Sequence, residues 1–428
     1  MSTPSIKVGQ GNWGIKAGNL LGYANTEKKF SPVEFASSRA LDTATRVNAS
    51  GNIAIVNANI PRIDYFGGQA GLLVEPSAQN LALQSENFTL SGSWNTSVAG
   101  RTLVTGNVTA TLDPYGGNVA DLLSDDNTAS NTHRMYTVGN ISITSGTTYS
   151  TSFFVKANTT PWFEIRLMQS NEGDAGIVGT VFNLTSGTIT SGSGTIQNYG
   201  NGWYRCTNIG TSNFTGNGRI FFYVYNSSGT KSYNGTSSNS LYIFGAQLET
   251  GSVATSYIPT TTGAVTRNND SISLTGVAGL IGQTEGTLYA EVAYSSIASV
   301  KTFVAINDGT VNNRIALRIM STTSVGATIV VAGSANSITQ SIPAISSSGV
   351  VKFALGYKEN DYVLAINGTI YPFTTTRPVP PTNSVFLGNN GFNSDYLNDR
   401  IRDVELYQTR LPNTTTDGSP SLQSITTL

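Results

Sequence analysis

The sequence has few charged residues, one cysteine and one histidine. Only 11% of its 428 residues are Asp, Glu, Lys or Arg, against roughly a quarter in an ordinary soluble domain. The formal net charge is −1 and the basic residues are scattered, so binding to nucleic acid by phosphate neutralisation is not expected. Cys206 cannot form a disulfide within the chain. Together with His133 it provides too few ligands for a His/Cys metal site.

Long apolar runs and helical periodicity are also missing. No stretch approaches the roughly 20 apolar residues of a membrane helix, so membrane insertion is not expected. The opening "MSTPSIKVGQGNWG" lacks the basic and apolar segments of a secretory signal, which predicts synthesis in a cytoplasm. The low charge does not indicate disorder, because 19 Tyr and 17 Phe can supply a core.

The sequence is instead dominated by a two-residue alternation of apolar and polar side chains. In "TTYSTSFFVKA", Tyr149, Phe153 and Val155 share one face, and Ser150 and Ser152 share the other. This period is typical of half-buried strands, and turn signals such as "TGNG" follow at short intervals. The pattern predicts an all-β fold with two antiparallel β-sandwich (jelly-roll) domains behind an N-terminal attachment region.

Three regions are predicted along the chain. They are an attachment region at residues 1–85, a jelly roll at 86–268 and a second sandwich at 269–428. This division predicts that a chain lacking the first region still folds. In the second sandwich, Asn367–Gly368 between two apolar runs predicts a two-residue hairpin, because both turn positions require a positive φ. "IRDVELYQTRL" reads as a closing strand, and the polar tail after it as an arm.

The stretch "FGAQLETGSVATSYIPTT" predicts the end of the jelly roll. Gly251 allows the chain to turn out of the last strand, because glycine tolerates a left-handed backbone. Tyr257 and Ile258 are expected to pin the exit segment against the sandwich. Pro259 then prevents the strand from continuing.

Several of these segments resemble a known group of proteins. "ALDTATRVNASGNIAIVNANIPRIDY" followed by "GLLVEPSAQNLALQSENFT" resembles a leader that is widespread in structural proteins of tailed bacteriophages. "GTTYSTSFFVKA", "NGWYR" and "AQLETGSVATSYIPTT" are similar to the carbohydrate-binding-module-like jelly roll that follows this leader. "VKFALGYKENDYVLAINGTIYPF" resembles a laminin-G/concanavalin-like sandwich.

The resemblance implies a non-enzymatic virion structural protein, such as a fibre, spike or decoration component of the head or tail. Its implied partners are other virion proteins (portal, neck, capsid or tail), further copies of itself in a homo-oligomer expected to be a trimer, and host surface glycans. It would be made in the host bacterial cytoplasm and function in the virion.

Two sets of residues are candidates for binding. Trp13, Leu20, Leu21 and Tyr23 are isolated large side chains in a Gly- and Asn-rich stretch. They are expected to dock on another virion protein, the alternative being an edge element of their own chain.

The second set lies in "GRIFFYVYN", where Arg219, Phe221, Tyr223 and Tyr225 occupy the face opposite the apolar one. Three explanations remain open for this second aromatic face. It is a glycan platform, a subunit interface, or a surface covered by a neighbouring segment. Trp162 and Trp203 are expected in the core.

No catalytic residue is expected, because His133 has no nucleophile elbow near any candidate serine. The alternative is a glycan depolymerase, which needs only a pair of carboxylates. Asp125 and Asp126, in "SDDNTASN", are in addition candidate Ca²⁺ ligands, since calcium prefers oxygen; no other cofactor is expected. The candidate carboxylates are Asp113, Asp121, Asp125, Asp126, Asp174, Asp395, Asp399 and Asp403.

Overall fold

The structure is a computed structural model that describes most of the chain. The described residues are 3–9, 13–26, 29–96, 102–171, 176–295, 299–321, 324–341, 349–373, 377–392 and 394–428. No helix in these ranges is long and apolar enough to cross a membrane.

The described chain is built almost entirely from antiparallel strands, which confirms the predicted all-β class. In chain order, the first strands are β1 (Ile6–Gly9), β2 (Gly14–Lys16), β3 (Asn19–Thr26), β4 (Lys29–Ser38), β5 (Ala44–Val47), β6 (Ile53–Val56), β7 (Arg62–Asp64), β8 (Gly71–Val74), β9 (Ala78–Asn80), β10 (Trp94–Asn95), β11 (Thr102–Thr105) and β12 (Asp121–Asp125). They are followed by β13 (Asn131–Thr137), β14 (Ile141–Ile143), β15 (Thr148–Ala157), β16 (Trp162–Gln169), β17 (Thr180–Asn183), β18 (Thr188–Ser191), β19 (Gly194–Gly200), β20 (Trp203–Thr211), β21 (Gly216–Val224), β22 (Ser232–Tyr233), β23 (Ser240–Thr250) and β24 (Val265–Arg267). The last strands are β25 (Ser271–Thr275), β26 (Glu285–Tyr294), β27 (Lys301–Asn307), β28 (Arg314–Ser321), β29 (Ser324–Val331), β30 (Ser334–Ser341), β31 (Gly349–Lys358), β32 (Tyr362–Ile366), β33 (Thr369–Phe373), β34 (Ser384–Leu387) and β35 (Asp399–Tyr407). Two 3₁₀ turns (Phe66–Gly68, Ala278–Leu280) and one short helix, α1 (Leu422–Thr426), complete the described elements.

The chain divides into two compact units, and the division differs from the predicted one. The first unit contains Met1–Asp42, Val56–Ser77 and Asn268–Leu428; the second contains Thr43–Ile55 and Ala78–Arg267. The predicted boundary at residue 268 agrees with this division. The predicted separate region at 1–85 does not, because its strands pair with strands of both units.

The first unit is a β-sandwich whose two sheets share one core. In the first sheet the strands are paired in the order β4, β3, β1, β35, β26, β31, β32 and β33. In the second sheet the order is β4, β25, β34, β27, β28, β29 and β30. Strand β4 belongs to both sheets. Apolar side chains such as Leu288, Phe353, Phe303 and Leu317 fill the space between the sheets.

Strands from the first 85 residues lie inside this sandwich. β1 and β8 pair with successive halves of β35, which is therefore central in its sheet and not a closing strand. Leu20 is fully buried in the core and Trp13 packs partly buried against it. Leu20 can therefore not serve as the docking anchor that the sequence predicted. Leu21 and Tyr23 are half-buried on the other face of β3.

The leader motif of this region forms a buried ion-pair network. The Arg62 guanidinium donates to Glu75 at 2.7 Å and also to Asp270, which in turn accepts from Arg39 at 3.0 Å. All four side chains are buried. Burial alone lowers the pKa of Arg62, but Asp270 and Glu75 together raise it. Because removing one member leaves a buried charge uncompensated, this network ties residues 39–75 to residue 270.

The predicted hairpin of the first unit is confirmed, whereas the predicted arm is wrong. Asn367 and Gly368 have φ angles of 47° and 82°, and β32 and β33 pair directly on either side of them. In the tail, helix α1 begins with a capping box at Ser421. Leu422 is fully buried in an apolar cluster on the outer face of the first sheet. The tail therefore covers its own unit because it carries apolar side chains among the polar ones.

The second unit is a β-sandwich of the predicted jelly-roll type. One sheet has the order β10, β13, β21, β16, β17 and β18, with β14 also paired to β21; the other has the order β11, β12, β23, β15, β20 and β19. The core between them includes Trp94, Phe153, Phe222 and Ile243. Cys206 is buried in it as a small apolar residue, and burial raises the pKa of its thiol.

The exit segment of the second unit follows its prediction. β23 ends at Thr250, and Gly251 has a φ of 120°. Tyr257 and Ile258 are buried, and the Gln247 side chain accepts the N–H of Ile258 at 2.7 Å. The segment thus covers the outer face of the sheet that contains β15 and β23, where Tyr257 packs with other aromatic rings.

Candidate functional site

Strand β21 places its two kinds of side chain on opposite faces, as its alternation predicts. Ile220, Phe222 and Val224 point into the core. Arg219, Phe221 and Tyr223 lie on the opposite face of the strand. Strands β13 and β16 both pair with β21, so side chains of these two strands lie beside those of β21 on the same face of the sheet. We call the resulting surface the aromatic–cationic face. It consists of Arg134, Tyr136, Trp162, Glu164, Arg166, Met168, Arg219, Phe221, Tyr223, Tyr225 and Lys231.

The rings of this face form a continuous layer. The centroid of Phe221 lies 5.2 Å from that of Tyr136 and 6.1 Å from that of Tyr223, both in stacked geometry. Phe221, Tyr223 and Tyr225 are only 0%, 4% and 7% exposed. The predicted residues therefore come together on one face, but their ring faces are not an open platform.

Cationic side chains cover the rings. The Arg134 guanidinium lies 5.4 Å from the Phe221 centroid and 5.8 Å from those of Tyr136 and Tyr223. Lys231 Nζ lies 3.9 Å from the Tyr223 centroid. Each such cation–π contact stabilises by about 0.5–2 kcal/mol, more when water is excluded. Side chains of the same unit thus cover these rings, and the three explanations remain open for the surface that those side chains form.

Glu164 organises one end of the face. It accepts a hydrogen bond from the Tyr225 hydroxyl at 2.8 Å and pairs with Lys231 at 2.5 Å. Burial, and then the Glu164 charge, raise the pKa of Tyr225. The Tyr225 hydroxyl therefore remains a hydrogen-bond donor at ordinary pH.

Arg166 and Arg219 lie at the other end. Arg166 is opposite Phe221 in the register, and Arg219 is opposite Met168. Both are half-buried, and neither has an ion-pair partner among the described residues. The Nε atom of each is buried without a hydrogen bond. The Arg219 guanidinium lies 5.6 Å from the Tyr136 centroid, and no carboxylate in the described ranges neutralises it or Arg166.

Trp162 corrects one prediction and adds a partly exposed ring to the face. The sequence predicted both Trp162 and Trp203 in the core, and Trp203 is indeed buried. Trp162 is half-buried on the outer face of β16 and packs at the margin of the aromatic cluster. Its position could have been found from the alternation, because it shares the face of Glu164 and Arg166.

The candidate calcium ligands are engaged within the protein. Asp125 is fully buried and accepts from the N–H of Thr236 at 3.1 Å and from the N–H and side-chain amide of Asn239 at 3.0 Å each. In the described ranges, no group of three or more His, Cys, Asp or Glu residues is placed to hold a metal ion. Asp125 therefore shapes the loop around it.

Asp126, the other candidate, serves a similar local role. It accepts from Thr128 at its N–H and its hydroxyl, and it lies 3.0 Å from His133 Nδ1. His133 is fully buried. It lies on β13, opposite Val224 of β21.

Most other candidate carboxylates are also occupied by local donors or cations. Asp113 accepts from the N–H groups of Tyr115, Gly117 and Val119, Asp121 accepts from those of Phe88 and Asn107, Asp395 pairs with Arg318, and Asp399 pairs with Lys301. Asp174 lies outside the described residues. Asp403 is buried without a hydrogen bond to either oxygen.

A separate cavity of about 320 Å³ lies in the second unit. Leu81, Leu83, Thr137 and Ile141 line it, and its wall is mostly apolar. No predicted site residue contributes to it.

Comparisons with known proteins add only distant structural likenesses. No protein-family model matches the chain, and no curated protein is detectably similar to it. Among solved structures, the chain is similar to the CBM40 domain of the Ruminococcus gnavus IT-sialidase bound to α2,3-sialyllactose, with 16% identity, a TM-score of 0.30, and coverage of 35% of this chain and 86% of that chain. It is also similar to domains LG4-5 of the mouse laminin α1 chain, with 11% identity, a TM-score of 0.26, and coverage of 78% and 89%. A third likeness is to domain 4 of an extracellular arabinanase from Geobacillus stearothermophilus, in complex with arabinotriose. The identity is 14%, the TM-score is 0.28, and the match covers 37% of this chain and 76% of that chain. At such scores these likenesses carry no argument about function, and none of these three is a phage protein.

Proposed function

We propose that this protein is a non-enzymatic structural component of a tailed-phage virion, and that its second unit binds host glycans at the aromatic–cationic face. The observation that carries the binding proposal is the composition of this face. It combines a partly buried tryptophan and three arginines on three adjacent strands with a lysine and a tyrosine hydroxyl just outside these strands.

This composition suits a sugar ligand. A sugar ring has apolar C–H faces and a rim of hydroxyl groups, so a binding site needs an aromatic surface flanked by hydrogen-bond partners. Trp162 offers the aromatic surface, and Lys231 and Glu164 lie beside the rings of the same cluster. Because Trp162 and Glu164 lie on β16, which is paired with β17 and β21, this part of the face is preorganised, which lowers the entropic cost of binding.

Replacing Trp162 by alanine should weaken glycan binding about tenfold. The stacking contact it removes is worth about 0.5–1.5 kcal/mol beyond the buried area. The intact chain is first screened on a glycan array prepared from host surface polysaccharides, and the variant is then titrated against the strongest ligand by calorimetry.

Tyr242→Ala is the matched control for this variant. Tyr242 is also half-buried and lies on the outer face of the other sheet of the second unit, so its replacement should leave the affinity unchanged. Equal losses in both variants would place the binding site elsewhere. New reducing ends in the polysaccharide after incubation with the chain would contradict the non-enzymatic role and favour the depolymerase.

The virion role rests on the sequence resemblance, above all on the leader containing "PRIDY" and "GLLVEP". We expect the protein to be a homo-oligomer, a trimer by analogy with phage appendages, that contacts other virion proteins. Antibodies against the purified full chain should label intact purified particles in electron micrographs at one repeated position. Particles that contain the chain only as a removable contaminant, lost on density-gradient purification, would contradict the proposal.

A further inference from the structure

We infer that the glycan taken at the aromatic–cationic face is acidic and carries carboxylate groups, as uronic-acid polymers do. This inference rests on the proposed glycan-binding function and names its ligand class. On the described part of the face, Lys231 is paired with the carboxylate of Glu164, whereas two further cations, Arg166 and Arg219, form no ion pair with any described residue. The excess of positive charge contrasts with the net charge of −1 of the whole chain.

The carboxylate described on this face does not neutralise the two arginines. Glu164 pairs with Lys231 at 2.5 Å. Arg166 lies on the same strand face as Glu164 but two residues away, and Arg219 lies opposite Met168. Neither arginine forms an ion pair with any described residue. In the part of the chain that the structure describes, these two side chains have no anionic partner, and a bound carboxylate would supply one.

The surroundings strengthen the preference for a carboxylate. Both arginines are half-buried, and Arg219 lies 5.6 Å from the centroid of the Tyr136 ring. A guanidinium group held on a ring is screened from water on that side, so its attraction to an anion is stronger than in bulk solvent. Its planar array of N–H donors matches a carboxylate with two parallel hydrogen bonds. Neutral hydroxyl groups offer neither the charge nor this geometry.

The test compares one polysaccharide in two forms. The full chain is titrated with polygalacturonic acid and with the same polymer after chemical reduction of its carboxylates to alcohols. The acidic form should bind at least about tenfold more tightly, because hydrogen bonds to charged groups contribute about 1.5–3 kcal/mol each. Raising the salt from about 0.05 to 0.5 M should weaken the acidic ligand and leave the reduced one unchanged.

Arg166→Gln and Arg219→Gln should each abolish most of this difference, while Arg314→Gln should not. Arg314 is a suitable control because it is half-buried in the first unit, where it lies 6.0 Å from the Phe392 ring and also has a buried, unpartnered Nε. Thermal unfolding of each variant verifies that it is folded. The salt dependence of the unmodified chain tests the inference without any variant.

The outcomes separate the inference from the function on which it rests. Equal binding of the acidic and reduced polymers, independent of salt, would overturn the acidic preference and leave glycan binding intact. Binding of dextran sulfate but not of the carboxylated polymer would overturn the carboxylate assignment. Failure to bind any polysaccharide, on the array or in solution, would remove the proposed function as well.

Discussion

A chain lacking residues 1–85 is expected not to fold. The deletion removes β1 and β8, which cover one side of the central strand β35, and it removes β4, which belongs to both sheets of the first unit. It also removes apolar side chains from the core of that unit. They are Ile6, Val8, Leu20, Phe35, Ile63, Leu72 and Val74.

The size of this loss exceeds what a domain can tolerate. Each buried apolar side chain of this kind stabilises by about 1.5–3 kcal/mol, so the set together contributes more than about 10 kcal/mol. A whole domain is stable by only about 5–15 kcal/mol. The second unit also loses Asn80, whose side chain donates to the carbonyls of Ala246 and Ile258 at 3.0 and 2.8 Å.

Circular dichroism and calorimetry of the truncated chain measure this prediction. Deletion of residues 1–4 is the control, because it keeps every described strand, and it should unfold at the temperature of the full chain. If the 86–428 chain unfolds with the same cooperative transition as the 5–428 control, the deletion has not harmed the fold. That result would restore the original prediction of a detachable attachment region. The expected result instead is aggregation or rapid proteolysis of the longer deletion.

Replacing Asp403 by asparagine should stabilise the protein above neutral pH and remove part of its pH dependence. Asp403 is 1% exposed, and neither carboxylate oxygen has a hydrogen bond among the described residues. In the first sheet of the first unit it lies between Gly9 on β1 and Glu291 on β26. The pKa of Asp403 is raised to about 7, first by burial and then by the charges of Glu405 and Glu291, while Lys7 opposes the rise.

The sign of the effect follows from the two pKa values of this carboxyl group. Its ordinary pKa is 3.8, so between about pH 4 and 7 the folded state binds more protons than the unfolded state. Stability therefore falls as the pH rises through this window, and the full penalty is present above pH 7. A shift of about three pKa units corresponds to about 4 kcal/mol at most. The buried amide of asparagine also lacks partners and costs about 1–3 kcal/mol, which leaves a net gain of about 1–3 kcal/mol.

Urea unfolding at pH 5 and at pH 8 measures both parts of this prediction. The free energy of unfolding should differ less between the two pH values for Asp403→Asn than for the parent chain. Asp417→Asn is the control, because Asp417 is exposed, and it should leave the difference unchanged. An unaltered pH dependence in the Asp403 variant would show that this carboxyl group does not titrate in the window.

Local rules were sufficient for several parts of the structure. The alternation in "GRIFFYVYN" assigned Arg219, Phe221 and Tyr223 to one face, and the strand has them there. The Asn367–Gly368 turn was predicted because few residues adopt a positive φ at two successive positions. The exit at Gly251 was predicted for a similar reason. Each of these features is decided by a few consecutive residues.

The sequence by itself determined the all-β class, the faces of individual strands and the tight turns, because side-chain period and backbone preference act within a few residues. Only the tertiary structure decided that the first 42 residues complete the sheets of a unit containing residues 268–428, and that Asp270 pairs with Arg62 some 208 positions earlier. It also decided that arginines and a lysine cover the rings around Tyr223. Alternation states which residues share a face but not which strand lies beside them, and that choice depends on how the whole chain buries its apolar surface.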